Sequence, residues 1–121
     1  MLGLYAVARE AARASVAAAL RVARGAPLAY ALCQPPGHHA DAADMGGYCY
    51  LNNAVLAAQT LLAEGLPRVA VLDLDYHFGN GTAYLLALEP RALYGSVHWG
   101  RDHRSSEREG AHVVLWWRAK W

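Results

Sequence analysis

A hydrophobic run that ends in metal-ligating residue types constrains the fold more than any other feature of this chain. Residues 69–77 read Val-Ala-Val-Leu-Asp-Leu-Asp-Tyr-His, which predicts a buried strand followed at once by polar side chains. Because alternate side chains of an extended chain point to the same side, we expect Asp73, Asp75 and His77 to share one face. A lone aspartate would more often cap a turn, but two acids and a histidine in strict alternation favour a metal site.

A second polar motif lies upstream, in the loop Pro35-Pro36-Gly37-His38-His39. Adjacent side chains cannot point the same way, so each imidazole needs its own supporting partner. One imidazole could stay neutral and act as a general base, while its neighbour holds positive charge and stabilises a developing oxyanion. A histidine pair alone is more often a solvated turn, but the downstream motif favours catalysis. Together the motifs predict metal-assisted hydrolysis.

The order of predicted elements indicates an α/β fold with a parallel sheet. Apolar periodicity and stop signals predict helices at 4–24, 50–64 and 82–88, the last capped by Thr82, and strands at 28–33, 69–74 and 93–98. Such alternation favours parallel strands with right-handed crossovers, and the unbroken apolar runs predict burial of both sheet faces. Ligands bind beyond the carboxyl ends of such strands, so both polar motifs are expected at one rim.

Length and composition limit the classes of function. The chain has 121 residues, 55% hydrophobic and 17% charged, as expected of one small globular domain. A formal net charge of +1 offers no broad basic face, which argues against nucleic acid or anionic lipid as a partner. Arginines interrupt the best apolar helical segment, so we expect no membrane span. Cys33 and Cys49 are too far apart for a C-x-x-C unit, and we expect reduced thiols in a soluble, cytoplasmic protein.

The character of the sequence changes from Trp99 onward. All four tryptophans, the only lysine and a polar stretch at 101–110 fall in this tail. One interpretation is a surface loop followed by an apolar strand at 113–117, and the other is a frame change or truncation. We therefore divide the chain into a partial α/β domain at 1–98 and a divergent tail at 99–121.

Other residues have weaker signals. The segment 79–81 lacks the full phosphate-binding fingerprint, so Asn80 is interpreted as a turn residue or as a hydrogen-bond partner for an imidazole. Gly46 and Gly47 allow close backbone approach, and Tyr48 or Tyr50 could line a narrow substrate channel, although aromatics beside a helix start are usually packing. Ser96 is not part of a G-x-S-x-G elbow, which argues against a serine hydrolase.

The chain contains, in this order, the segments PPGHHA, GGYCYLNNAVLAAQ and RVAVLDLDYHFGNGT. Their order and spacing resemble the zinc-dependent histone deacetylase family, especially its bacterial acetylpolyamine amidohydrolase branch. The similarity spans residues 28–98. It implies a three-layer α/β fold of the arginase type with a mostly parallel sheet, incomplete in this chain. It also implies zinc-dependent hydrolysis of an acetamide on a lysine or polyamine amine, giving acetate and a free amine.

The resemblance implies a role for each candidate residue. Asp75 and His77 would bind Zn²⁺. His39 would be the general base that deprotonates the attacking water and later protonates the leaving amine. His38 would be its electrostatic partner, supported in turn by Asp73.

The resemblance also implies supporting roles around these residues. Asn80 would orient His39, and Gly47 and Tyr48 would line the tunnel for the acylated amine. A structural K⁺ would be bound by a set that overlaps the zinc ligands, namely Asp73, Asp75, His77, Ser96 and Val97.

The chain departs from the family pattern at several points. Phe78 stands where the family usually has a second histidine. In the family the third zinc ligand, an aspartate, and the oxyanion-stabilising tyrosine come from segments after the third strand, and neither segment is recognisable here. Asp102 and His103 are the spare ligands nearby. Two hypotheses follow: a zinc amidohydrolase that acts when complete, or an inactive relic or module that binds metal or acetylated amines.

Overall fold

The computed structural model describes residues 2–101 and 109–116, which form an α/β structure, as predicted. In chain order the described elements are α1 (Leu2–Ala23), α2 (Asn53–Ala63), β1 (Val69–Asp73), α3 (Asn80–Leu86), β2 (Ala92–Arg101) and β3 (Glu109–Trp116). Of the helices described, none combines the length and the apolar character that a bilayer crossing requires.

The strands form one sheet in the order β1-β2-β3. β1 and β2 are parallel, with Val69 opposite Ala92 and Asp73 opposite Ser96, which confirms the predicted crossover through α3. β3 is antiparallel to β2 and includes most of the apolar strand predicted at 113–117. β2 continues past residue 98, and the division of the chain there stays a prediction.

Capping residues explain where α1 and α2 begin and end. The Asn52 side chain accepts a hydrogen bond from the backbone N–H of Val55, so α2 begins after Asn52 rather than at residue 50. Gly25 and Gly65 have φ values of 98° and 97°, a left-handed conformation that glycine adopts without strain and that stops a helix. The predicted stop positions are therefore confirmed.

The prediction that Thr82 caps α3 is wrong. α3 begins at Asn80 after Gly79, and Thr82 lies inside the helix, where it is buried. Its hydroxyl is 3.1 Å from the side-chain nitrogen of Asn52, which donates to it. Because a threonine hydroxyl both donates and accepts, it joins α3 to the cap of α2 instead of capping its own helix.

One apolar cluster joins α2, β1, α3 and β2. Its buried members are Val55, Ala58, Leu62, Val69, Ala83, Leu86, Ala92 and Tyr94. α1 contacts α2, and its buried side chains are small, which allows close approach of the two helices. The cluster holds β1 against α3, and so fixes the turn that joins them.

The predicted buried strand at 28–33 is not formed in the described structure. Leu28, Tyr30 and Leu32 are 81%, 84% and 86% exposed, and these residues pair with none of the described strands. A strand needs a neighbour whose backbone N–H and C=O groups face its own. The apolar pattern was therefore insufficient without that neighbour.

Helices cover only one face of β1 in the described residues. Val69 and Val71 belong to or pack against the core cluster, whereas Leu72 and Leu74 are 66% and 70% exposed. The predicted burial of both faces is thus wrong for the part of the chain that the structure describes. The alternation itself is as expected for a strand with one covered face.

Candidate active site

The loop at 34–47 and the β1–α3 turn meet at the carboxyl end of β1, the rim predicted from the strand order. The structure brings together there six of the predicted site residues: His38, His39, Asp73, Asp75, His77 and Asn80. Two segments distant in sequence therefore converge on one place.

Backbone contacts fix the histidine loop against α2 and α3. The backbone N–H of Thr82 donates to the carbonyl of His38 over 3.0 Å. The side chain of Asn52 donates to the carbonyl of Ala40 over 2.8 Å. A β-carbon at Gly81 would collide with that same Ala40 carbonyl, so only glycine permits this approach. The loop is held by rigid elements on both sides.

His38 forms a mostly buried pair with Asp73. The two atoms that pair, His38 Nδ1 and Asp73 Oδ2, are 2.9 Å apart, and the side chains are 14% and 12% exposed. His38 Nε2 lies 3.8 Å from Asp75 Oδ1 on the other side of the ring. The His38 ring therefore lies between two carboxylates.

These contacts shift the pKa values of both partners in opposite directions. The hydrogen bond to Asp73 raises the pKa of His38 above 6.5, against the effect of burial, and the charges of Asp73 and Asp75 add to the rise. Burial alone would raise the pKa of Asp73, but hydrogen bonds from His38, the Asp75 backbone and Tyr94 hold it below 3.8. The pair therefore favours an imidazolium beside a carboxylate.

His39 is held by an amide rather than by a carboxylate. His39 Nδ1 is 2.6 Å from Asn80 Oδ1, at a more exposed position. Since the amide oxygen can only accept, Nδ1 carries the proton and Nε2 keeps its lone pair in the neutral ring. A β-carbon at Gly47 would collide with the His39 ring, so this glycine makes room for it, and its φ of 53° is left-handed.

Asp75 and His77 reach the rim through a turn and not through strand alternation. β1 ends at Asp73, whose Oδ1 accepts the backbone N–H of Asp75 over 3.1 Å. Asp75 Oδ1 in turn accepts the backbone N–H of His77 over 2.8 Å. These side-chain-to-backbone bonds wind the chain beyond β1, so Asp75 and His77 lie in a turn after the strand and not on the strand itself. Their side chains still lie near that of Asp73, as expected.

The side chains of Asp75 and His77 fit two positions around one small cation. Asp75 Oδ1 and His77 Nδ1 are 3.3 Å apart and half-exposed to exposed. Two ligands about 2.1 Å from a tetrahedral zinc ion lie roughly 3.4 Å from each other, so the spacing and the donor types both fit. Within residues 2–101 and 109–116, no three histidine, cysteine or acidic side chains are arranged so that they could hold one metal ion together. Asp102 and His103 lie outside the described residues.

The residues of the predicted potassium site lie on β1, on β2 and in the turn after β1. Ser96 is buried and lies opposite Asp73 in the β1–β2 register. Its hydroxyl is 2.9 Å from His98 Nδ1, a polar contact that the prediction did not include. The side chain of Val97 is exposed on the other side of the strand. The potassium site stays a prediction.

Tyr48 follows Gly47, the residue that makes room for the His39 ring. Its side chain is 83% exposed and its φ is 62°, so the backbone turns sharply at these two residues. Gly46 and Cys49 form a β-bridge that closes the turn. A role for Tyr48 in lining a tunnel stays a prediction.

The sequence reasoning missed Tyr94, which contacts the site from β2. Its hydroxyl donates to Asp73 Oδ2 over 3.1 Å, and its side chain is 1% exposed. Burial raises the pKa of Tyr94 above its ordinary value near 10, so the hydroxyl stays protonated at neutral pH. The signal was its position two residues before Ser96, which in a parallel register puts it on the same face as Asp73.

Comparisons with known proteins identify the family to which this fold and sequence belong. A family model of the histone deacetylase domain matches residues 1–105. Acetylpolyamine amidohydrolase 1 of Pseudomonas aeruginosa is 45% identical over 96 residues, which are 79% of this chain and 28% of that protein. Histone deacetylase 8 of Arabidopsis thaliana is 46% identical over 82 residues, 63% of this chain and 22% of that protein. The chain thus spans less than a third of the length of these relatives.

Solved structures show the same likeness in three dimensions. The crystal structure of acetylpolyamine aminohydrolase from Burkholderia pseudomallei matches with a TM-score of 0.71 at 51% identity, covering 74% of this chain and 26% of that one. The crystal structure of the HDA15 HD domain matches with a TM-score of 0.74 at 37% identity, covering 77% and 27%. Since the family model covers most of the sequence and the fold agrees, the chain belongs to the histone deacetylase domain family.

Proposed function

We propose that this chain provides the base-bearing part of a deacetylase site, which hydrolyses the acetamide of an acetylated polyamine or acetyl-lysine to acetate and a free amine. The observation that carries the proposal is the paired arrangement at the rim: His38 with Asp73, and His39 with Asn80. The names of the relatives support the substrate class, since they include acetylpolyamine amidohydrolases and a histone deacetylase.

His39 is the proposed general base. Its Nδ1–H bond to Asn80 leaves Nε2 free to accept a proton from water as the water oxygen attacks the amide carbonyl. The same nitrogen then returns the proton to the amine as the carbon–nitrogen bond breaks. The Asn80 amide keeps the ring in the tautomer that can do this.

His38 is the proposed electrostatic partner. Asp73 favours its charged form, and its ring centroid lies 4.1 Å from that of His39. A fixed positive charge beside the reacting carbonyl stabilises the negative charge that develops on its oxygen.

Asp75 and His77 are the proposed zinc ligands in this chain, on the strength of their donor types and spacing. When bound, zinc would polarise the amide carbonyl and assist ionisation of the attacking water. We also propose a structural K⁺ at the predicted set around Asp73, and a substrate channel lined by Gly47 and Tyr48.

A second candidate function is a non-catalytic module that binds metal or acetylated amines. It is favoured by the donor count, since the described residues bring two metal ligands together rather than the three that catalytic zinc sites take from protein. For either function we propose a cytoplasmic location, in keeping with the free thiols of Cys33 and Cys49.

The test is acetate release by the purified chain from an N-acetylated polyamine and from an acetyl-lysine peptide, with zinc counted in the same samples. We expect zinc-dependent turnover that His39→Ala lowers by about 10²- to 10⁴-fold. Gln59→Ala, on the exposed face of α2, is the matched control and should leave turnover unchanged. Bound zinc without turnover would establish the binding module, and neither zinc nor turnover would overturn both proposals.

A further inference from the structure

Tyr94 is a buried phenol whose hydroxyl points at the site from the middle of the sheet. Its side chain is 1% exposed, and its ring packs edge-on to Phe78 with centroids 6.3 Å apart. The hydroxyl donates to Asp73 Oδ2 over 3.1 Å. A phenol is a donor at neutral pH, so this bond adds to the stabilisation of the carboxylate.

Asp73 connects the two halves of the site. Its Oδ2 accepts from both His38 Nδ1 and Tyr94, at 2.9 and 3.1 Å. Its Oδ1 accepts the backbone N–H of Asp75 over 3.1 Å, which begins the turn that carries the proposed metal ligands. This one carboxylate therefore bonds both the histidine loop and the turn that carries Asp75.

A glycine makes room for this cluster of polar atoms. A β-carbon at Gly79 would collide with Asp73 Oδ2, and it would lie 2.7 Å from the Tyr94 hydroxyl and 3.0 Å from His38 Nδ1. The three atoms thus occupy the space that any side chain at residue 79 would fill. Tyr94 lies on β2, the middle strand of the described sheet, and its side chain is 1% exposed, so packing on both sides limits movement of its hydroxyl.

We propose that Tyr94 is a positioning residue that orients the Asp73 carboxylate and, through it, the ring of His38. With His38 alone on Oδ2, the carboxylate could rotate away from the bond to the Asp75 backbone. A second donor from the strand restricts that rotation. Phenylalanine would fill the same volume but could not donate. A catalytic importance of Tyr94 rests on the proposed function. Its effect on the orientation of His38 is independent of that function.

The test reads His38 directly, without substrate or metal. In the chain labelled with ¹⁵N-histidine, we compare exchange of the His38 Nδ1 proton with solvent in wild type, Tyr94→Phe and Tyr84→Phe. His38 signals are assigned by their loss in His38→Gln. We expect exchange of the His38 proton to be about tenfold faster in Tyr94→Phe. The Asp73 carboxylate that accepts this proton loses its bond from Tyr94 and is therefore held less firmly. Tyr84→Phe, with an exposed hydroxyl, should match wild type.

Equal exchange in all three chains would overturn the proposal, provided that the backbone amide spectrum shows Tyr94→Phe to be folded. If Tyr94→Phe does not fold, a measurement on the wild-type chain tests the proposal instead. The proposal requires a slowly exchanging Tyr94 hydroxyl proton with a nuclear Overhauser effect to the His38 Nδ1 proton, and the absence of this effect would overturn it. Neither readout depends on turnover, so failure here and failure of the deacetylase proposal remain distinct.

Discussion

The two adjacent histidines of the rim differ in what holds them, and the difference separates their chemistry. His38 is mostly buried against the Asp73 carboxylate, whereas His39 bonds the Asn80 amide at a more exposed position. A carboxylate stabilises a positive ring, while an amide oxygen orients a ring without adding charge. Neighbours in sequence therefore acquire different roles from partners that lie 35 and 41 residues away.

The largest expected effect on stability comes from removing the Asp73 carboxylate, which holds His38. Asp73→Asn leaves a buried imidazole, a tyrosine hydroxyl and a backbone N–H with a weaker partner. We expect a loss of about 3 kcal/mol in the free energy of unfolding of the metal-free chain. Urea denaturation measures it. Asp44→Asn, at an exposed loop position, is the control and should change the value little; equal effects of both would remove the distinction.

A smaller effect is expected from crowding the same cluster without changing any charge. Gly79→Ala places a β-carbon among Asp73, Tyr94 and His38, so it should cost about 1–3 kcal/mol of unfolding free energy. Gly46→Ala is a matched control, because a β-carbon there meets nothing within 4 Å. Thermal unfolding of both variants measures the difference. A Gly79→Ala chain as stable as Gly46→Ala would show that the cluster is looser than described.

The pH dependence of stability sharpens the comparison further. The raised pKa of His38 stabilises the fold fully below pH 6.5, and this is lost as pH rises through the higher folded-state value. The lowered pKa of Asp73 stabilises the fold above pH 3.8, and this is lost as pH falls through the lower folded-state value. The excess stability of wild type over Asp73→Asn should therefore be largest between pH 3.8 and 6.5. A difference that does not vary with pH would contradict the ion pair.

The smallest effect on stability is expected on the His39 side. Asn80→Ala removes one exposed hydrogen bond, so the unfolding free energy should change by no more than about 0.5 kcal/mol. Urea denaturation beside Asp73→Asn gives the contrast directly. A cost for Asn80→Ala as large as that for Asp73→Asn would mean that both histidines depend equally on their partners.

The elements that could be predicted from sequence are those whose signal is local. The apolar run at 69–74, the cap and stop residues around α2 and the glycines of the turn each act within a few residues, and β1, α2 and the rim follow from them. The exposed segment 28–33 shows the limit, because a strand also needs a neighbour that no local pattern reveals.

Some features of the candidate site could be predicted from the sequence, and others could not. Histidines after one strand and acids after another could be placed at one rim from the parallel order of strands alone. The contact of Tyr94 with Asp73 depends on the exact β1–β2 register, and the arrangement of Asp75 and His77 depends on side-chain-to-backbone bonds in a turn. Both are consequences of tertiary structure, so the sequence pattern did not reveal them.

The central claim is a metal site at the carboxyl end of β1, and the residues that zinc binding requires test it most directly. Equilibrium dialysis would compare zinc binding by wild type, Asp75→Asn, His77→Ala and the exposed-loop control Asp44→Asn. We expect one ion per chain in wild type and the control. In the other two variants we expect a loss of affinity above about 100-fold, more than is typical when a residue that only orients a metal ligand is removed. Zinc binding that is the same in all four chains would contradict a metal site at the end of β1.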